Sequence, residues 1–245
     1  MTLTPNSMAP LVDAPQELAP ARDKMANEQQ VSKKRRYASA IIAVVAGQDE
    51  RSATFHVHED LLREHSHFFD AALNHQWKEA QERKITLPED NPDVVDVYVQ
   101  WLYGDTVKDA LTKTLGGPRR FRSAVWAVAY LFGDKIQDRP FSNAVMEAWT
   151  LSIDEPLDDG LRRYVSAGCV RKVYKHTTSG SLVRQFLVHI WAHYRILRWM
   201  KEGVDEDHLL DCPEFLLDLA RATVTKTDES HQSLFEMREK WLYDV

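Results

Sequence analysis

Residues 53–69 read ATFHVHEDLLREHSHFF, and their hydrophobic period changes partway along. Apolar and polar side chains alternate from Ala53 to Val57, which is typical of a half-buried strand. From Glu59 onward the leucines and His65 recur at helical spacing, and Ser66 is suited to cap a second helix. The stretch therefore predicts a strand that gives way to two short helices.

Two further segments read as partners of this strand in a sheet. Residues Ala40 to Val45 are apolar and partly β-branched, and the turn-forming Gly47–Glu50 separates them from the first stretch, which predicts a hairpin. Lys84–Leu87 predicts one more strand, which stops at Pro88 because proline has no N–H to give to a ladder. The sequence therefore predicts a small three-stranded sheet.

The clearest helix boundaries follow this third strand. Asn91 is a good N-cap, Pro92 fits the first helical position, and Gly104 suits a left-handed C-terminal cap. Residues 112–118 then hold threonine, glycine and proline. We expect a turn-rich spacer there.

Helical periodicity dominates the rest of the chain. Apolar residues recur at helical intervals from 121 to 132 and stop at Gly133, and another helix begins after Asp138 and runs to about Trp149. Acidic turn residues at 154–160 mark a boundary, after which residues 182–200 and the segment opened by Pro213 read as helices. The sequence predicts an α+β fold, a small three-stranded sheet packed among helices, followed by an all-helical extension.

The first 36 residues differ in composition from the rest. They hold prolines at positions 5, 10, 15 and 20 and no aromatic residue, so they offer little apolar surface to offset the entropy of ordering. We expect a disordered tail. It ends in a basic block, Lys33, Lys34, Arg35 and Arg36, which fits either a nuclear address or a solvated charge run.

Charge and cysteine content argue against several classes of protein. The net charge of −6 argues against binding of nucleic acid or anionic lipid through bulk electrostatics. Cys169 and Cys212 are too few for a disulfide framework or a structural zinc site, and we expect an intracellular compartment, nuclear or cytoplasmic. The longest apolar run, Ala124 to Phe132, is far shorter than the roughly 20 residues that cross a bilayer.

Patterns that suggest catalysis or metal binding are weak. Five of the ten histidines lie between His56 and His75, but their spacing does not gather a compact ligand set. His189 and His193 are spaced as in a zinc protease, yet Ile190 stands where that motif has its glutamate. The sequence contains no phosphate-binding glycine loop and no nucleophile-elbow serine. We expect neither catalysis nor a cofactor, with a metal-dependent enzyme as the remote alternative.

Taken in order, residues from this central region resemble the BTB/POZ interaction domain. The resemblance rests on several ordered positions and covers about Tyr37 to Thr150. The matching positions are Phe55, His58, Leu62, Ser66, Phe69, Asp134, Lys135 and Asn143. Beyond them, Val173, Tyr174, Thr177, Arg184 and Trp191 resemble the helical extension of many fungal BTB proteins. Composition predicts a tail over residues 1–36, and the resemblance implies a BTB/POZ-like domain over 37–150 and a helical extension over 151–245.

The resemblance implies a protein-binding function. BTB domains associate with themselves or with other proteins, and some are substrate adaptors for cullin ubiquitin ligases. By position, a cullin-facing region would include Trp101, Tyr103, Val107 and Asp109, for which core packing and turn formation is the alternative role. The alternative for the whole chain is a nuclear, transcription-associated regulator that binds nucleic acid through the basic tail and through Arg119, Arg120 and Arg122.

Overall fold

The computed structural model describes residues 38–74, 77–116, 123–155, 165–194, 209–224 and 237–245. All the elements below lie in one compact unit, Ala40–Val245. The predicted tail over residues 1–36 and its basic block Lys33–Arg36 lie outside the described residues.

A three-stranded sheet forms at the start of this unit. The strands are β1 (Ile41–Ala46), β2 (Ala53–His58) and β3 (Lys84–Leu87), in the order β2-β1-β3. Strand β1 pairs antiparallel with β2 and parallel with β3. Because β1 is central, its alternate residues Ile42 and Val44 are buried. The predicted hairpin and third strand are confirmed.

Three short helices lie between β2 and β3 along the chain: α1 (Glu59–His65), α2 (His67–Ala72) and α3 (Lys78–Glu82). Ser66 caps α2, since its hydroxyl accepts a hydrogen bond from the Phe69 N–H at 3.2 Å. The predicted succession of a strand and two helices is confirmed.

Helix α4 (Pro92–Leu102) has the predicted ends, with the Asn91 side chain accepting from the Asp93 N–H and Gly104 at a φ of +106°. The expected spacer at residues 112–118 is wrong, because α5 (Val107–Leu115) extends through its first four residues. Thr112 donates to the Lys108 carbonyl at 2.7 Å within this helix. Burial of one face of α5 therefore outweighs the weak helix propensity of its threonines.

Helices α6 (Ser123–Lys135) and α7 (Arg139–Asp154) pack against each other, and both extend past their predicted C-terminal ends. The expected helix end at Gly133 is wrong, because Gly133 lies inside α6. A Cβ atom there would come within 2.5 Å of the Ser142 hydroxyl on α7. Gly133 therefore serves a close approach of two helices rather than a turn.

The later helices are α8 (Ala167–His176), α9 (Leu182–Tyr194) and α10 (Pro213–Val224), followed by a short 3-10 helix, Arg238–Trp241. One hydrophobic core runs from the sheet through α7 to these helices. Helix α7 crosses the predicted boundary between residues 150 and 151 without a break. No helix in the described parts of the chain is long and apolar enough to cross a membrane.

Candidate functional site

The end of strand β2 is tied to the end of helix α4. The His58 N–H donates to the Tyr103 hydroxyl at 3.2 Å, and His58 Nδ1 lies 2.6 Å from the same oxygen. The two rings meet edge to face, with centroids 5.8 Å apart. Tyr103 is nevertheless 37% exposed. His58 therefore holds an aromatic side chain in place at the surface.

Ser66 joins two segments that are 70 residues apart in the chain. Its hydroxyl donates to the Ile136 carbonyl at 2.6 Å while it accepts from the Phe69 N–H. The residue is 1% exposed. Ser66 therefore both caps α2 and holds it against the end of α6.

Replacing Ser66 with alanine should lower the free energy of unfolding by about 2 kcal/mol, because an N-cap and a short buried hydrogen bond are lost together. Chemical denaturation of the full chain measures this loss. Ser52 is the matched control, since its hydroxyl donates to the Asp49 carbonyl at 2.9 Å in an exposed turn. We expect Ser52→Ala to change stability by less than about 0.5 kcal/mol. Equal losses in the two variants would contradict the assigned role.

The other early motif residues build the core. Leu62 and Phe69 are buried, and Phe55 packs against the core from the sheet. Phe69 stacks on Tyr98 with ring centroids 6.2 Å apart, and Tyr98 meets Phe141 edge to face at 4.9 Å. Phe69 and Phe141 therefore pack around Tyr98 in the interior beside α4.

Asp138 is a fully buried carboxylate beside this cluster. Its oxygens accept from the Tyr98 hydroxyl at 2.9 Å and from the Phe141 N–H at 2.9 Å. Burial raises the pKa of Asp138, although the two hydrogen bonds oppose the shift. Burial and the nearby carboxylate raise the pKa of Tyr98 well above its ordinary value. The pair links α4 to the start of α7.

The four candidate partner-binding residues lie in different environments. Trp101 is half-buried between His65 and Phe141, with ring centroids 5.1 and 5.2 Å away. Val107 is 3% exposed and belongs to the core. Val107 therefore has the alternative role of core packing, and substituting it would not test a contact at the surface. Tyr103 and Asp109 are the exposed members of the set.

Asp109 also has a local structural role. The Thr106 hydroxyl accepts from the Asp109 N–H at 3.1 Å and donates to the Asp109 carboxylate at 2.7 Å. This reciprocal pair caps the start of α5. The carboxylate is therefore held in position at the corner between α4 and α5.

The late motif residues contact segments that are distant in sequence. Lys135 pairs with Asp90 at 2.6 Å, next to the start of α4. Asp134 and Asn143 both bind Tyr243, which lies 100 residues beyond Asn143. Sequence reasoning missed Tyr243, because no local pattern signals so distant a partner.

Arg184 organises the helices of the extension. Its guanidinium donates to the Thr177 hydroxyl at 2.9 Å, to the Thr177 and Tyr174 carbonyls and to the Glu214 carboxylate at 2.6 Å. It also lies over the Tyr174 ring, 4.3 Å from the centroid. Arg184 is only 5% exposed. It therefore closes the end of α8 and joins it to α9 and α10.

The histidine and cysteine patterns do not converge on a metal site in the parts of the chain that the structure describes, where no three potential ligands come together. His189 and His193 stack on one face of α9 at 5.7 Å. Cys169 and Cys212 are both buried and are not joined in a disulfide. His75 and the arginines at 119, 120 and 122 lie outside the described residues.

The strands and α1–α5 form the part of the fold that a family comparison identifies. Residues 29–117 match the BTB/POZ domain family. BTB/POZ domains are non-catalytic modules that bind other proteins or one another. No curated protein matches the chain.

The BTB/POZ match confirms the predicted resemblance for part of its expected extent. It contains Phe55, His58, Leu62, Ser66 and Phe69 and ends just after α5. Asp134, Lys135 and Asn143 lie beyond it. The resemblance of the later helices to the extension of fungal BTB proteins stays a prediction. The domain limits at residues 37 and 150 also stay predictions.

Proposed function

We propose that this chain is a protein-interaction subunit whose BTB/POZ domain presents the corner between α4 and α5, Tyr103 to Asp109, to a partner protein. The observation that carries the proposal is the exposed ring of Tyr103, fixed by His58. A fixed aromatic side chain loses little conformational entropy on binding, which is why such residues anchor interfaces.

A second exposed apolar side chain lies close to this ring. Ile41 is 43% exposed, and it stands directly opposite His58 in the β1–β2 register. Opposite residues of an antiparallel pair lie on the same face. Ile41, His58 and Tyr103 are therefore neighbours, and grouped exposed apolar residues mark interaction surfaces more than single ones do.

The charge at the corner indicates the chemistry of the partner. Asp109 is exposed and capped in place by Thr106, whereas the nearby Asp105 is paired with Lys113. A partner with an apolar pocket for Tyr103 and a basic side chain for Asp109 fits this surface.

The partner class that we propose is a cullin-type scaffold, which would make the chain a substrate adaptor of a ubiquitin ligase. Its support is the position of Tyr103 and Asp109 in the BTB/POZ resemblance. Self-association is the second candidate, supported by the strand order β2-β1-β3, which leaves an open edge on β2 and β3 within the described residues. A nuclear role through Lys33–Arg36 rests on sequence alone.

Capture of purified cullin scaffolds by the immobilised full chain tests the adaptor function. We expect Tyr103→Ala and Asp109→Ala each to weaken capture by about tenfold or more, because each removes a central anchor. Asp93 is the matched control, since it is an exposed acid in the first turn of α4 as Asp109 is in that of α5. Asp93→Ala should leave capture within about twofold.

Two outcomes would reject the assignment. Capture that is unchanged in both corner variants places the cullin contact elsewhere, and absence of capture by the wild-type chain removes the adaptor function. Light scattering on the same samples then distinguishes a self-associating chain from a monomer.

A further inference from the structure

Residues Met237–Tyr243, the docked segment, lie across helices α7 and α9. The short 3-10 helix within it packs on both helices. Trp241 is 3% exposed, and its ring meets Phe186 at 5.1 Å and His189 at 5.2 Å between centroids. The Trp241 side chain therefore fills an aromatic pocket on α9.

The Asn143 side chain holds the backbone of the docked segment at Tyr243. The Asn143 amide donates to the Tyr243 carbonyl at 2.8 Å and accepts from the Tyr243 N–H at 2.7 Å. These two bonds replace those that a neighbouring strand would make. A side-chain amide that satisfies both groups of one residue recognises extended backbone of any sequence.

The side chain of Tyr243 is recognised separately. Its hydroxyl accepts from Tyr130 at 2.9 Å and donates to the Asp134 carboxylate at 3.1 Å. The Tyr130 and Tyr243 rings stack at 6.4 Å, and the Arg139 guanidinium lies 5.7 Å from the Tyr243 centroid. Burial raises the pKa of both tyrosines, so each hydroxyl stays protonated at neutral pH.

These contacts have the three elements of a peptide site, which are an aromatic pocket, a backbone clamp and hydrogen bonds to one side-chain hydroxyl. The residues that make these contacts are together called the α7–α9 groove: Tyr130 and Asp134 near the end of α6, Asn143 on α7, and Phe186 and His189 on α9. All of them lie outside residues 29–117. In sequence, twelve residues, 225–236, stand between α10 and the docked segment, and a chain of twelve residues spans at most about 40 Å.

We propose that the α7–α9 groove is a peptide-binding site for a Trp-x-Tyr segment, filled in each molecule by its own docked segment and able to accept the docked segment of a second copy. Exchange needs no new contact, since the same residues meet in either arrangement. The groove and the docked segment of one molecule belong to the same chain, which gives that segment an effective concentration near the millimolar range. The intramolecular arrangement therefore prevails in dilute solution. Exchange becomes detectable when one variant has a disrupted groove and the other has a disrupted docked segment.

Two full-length variants place the intact groove and the intact docked segment on different molecules. Asn143→Ala removes the backbone clamp and keeps an intact docked segment, whereas Tyr243→Pro removes the N–H, the ring and the hydroxyl of the ligand and keeps an intact groove. Mixed under different affinity tags, the two variants should capture each other at least about tenfold more than either captures a tagged copy of itself. Only the mixture offers one intact groove and one intact segment on separate molecules.

A synthetic peptide of residues 237–245, MREKWLYDV, gives an independent measurement. Labelled peptide should bind the Tyr243→Pro chain, and it should bind the Asn143→Ala/Tyr243→Pro double variant about tenfold more weakly. A peptide with proline at the position of Tyr243 is the matched control and should not bind.

Three results would overturn the proposal. These are mutual capture no greater than self-capture, equal peptide binding by the single and double variants, and loss of the folded state in the Tyr243→Pro chain, which would make the docked segment an obligate part of the core. None of them bears on the adaptor function, because neither readout involves a cullin scaffold or the corner at Tyr103.

Discussion

Replacing Arg184 with alanine should lower the free energy of unfolding by about 3 kcal/mol, because two backbone carbonyls at the end of α8 lose their donor. The carbonyls belong to Tyr174 and Thr177. The lost guanidinium also exposes a cavity above the Tyr174 ring, against which it packs. In a chain of this size the change corresponds to a fall of about 10 °C in Tm. Thermal and urea unfolding of the full chain measure it.

Two further variants separate hydrogen bonding from charge in this network. Glu214 is 68% exposed, so its pair with Arg184 is screened by solvent and Glu214→Gln should cost less than about 1 kcal/mol. Arg184→Lys keeps the charge but not the planar fork, and we expect a loss of about 2 kcal/mol. A loss in Glu214→Gln as large as that in Arg184→Ala would show that the ion pair, rather than the capping of α8, stabilises the extension.

Replacing Asp138 with alanine should lower the free energy of unfolding by about 3 kcal/mol, since the N-cap of α7 is lost and the buried Tyr98 hydroxyl loses its acceptor. Asp138→Asn is the matched control. Asparagine caps helices as well as aspartate does, and its amide can pair with the Tyr98 hydroxyl in the reverse sense. We expect a loss of about 1 kcal/mol for asparagine, and equal losses in the two variants would contradict the proposed hydrogen bonds.

The wild-type chain and Asp138→Asn should differ in how their free energy of unfolding depends on pH. The pKa of Asp138 is raised in the folded state, so the folded chain binds this proton more tightly than the unfolded chain does. The contribution of Asp138 to stability is therefore greatest at acid pH and falls as pH rises from the ordinary value of 3.8 through the raised one. Asparagine does not titrate. The stability of Asp138→Asn relative to wild type should accordingly increase with pH across this window, and a relative decrease would show that the folded-state pKa is lowered.

The parts of the fold that sequence predicts are those with a local physical cause. Ser66 and Asn91 cap helices by bonding to an N–H two or three residues away, and the alternation over β2 follows from its one buried face. These causes lie within a few residues, so the sequence reveals them. The strands, helices α1 and α2 and both ends of α4 were predictable for this reason.

The errors arise where tertiary packing prevails over local preference. Gly133 reads as a helix end, but the constraint on it is the Ser142 hydroxyl of the neighbouring helix. Residues 112–115 read as a turn, but α5 buries Ala110 and Leu111 and continues to Leu115. Neither the approach of a second helix nor the burial of a face is visible in a window of ten residues.

The candidate surface was predictable only in part. The resemblance selects Tyr103 and Asp109 along with Val107, because it reports position in the chain and not exposure. Burial of Val107 depends on packing that only the folded chain shows. Arg184 and Tyr243 act over tens of residues in sequence, and a buried arginine cannot be told from a solvated one by composition.

Helix α7 is held at three points along its length. Asp138 caps its start, Asn143 binds Tyr243 from the fifth of its 16 residues, and the ring of Trp149, its eleventh residue, meets that of Phe186 at 5.0 Å between centroids. At about 1.5 Å per residue this rod spans roughly 24 Å. Loss of order at one end therefore removes the support of the other, and the strands and the later helices should lose their structure in a single cooperative transition rather than in succession.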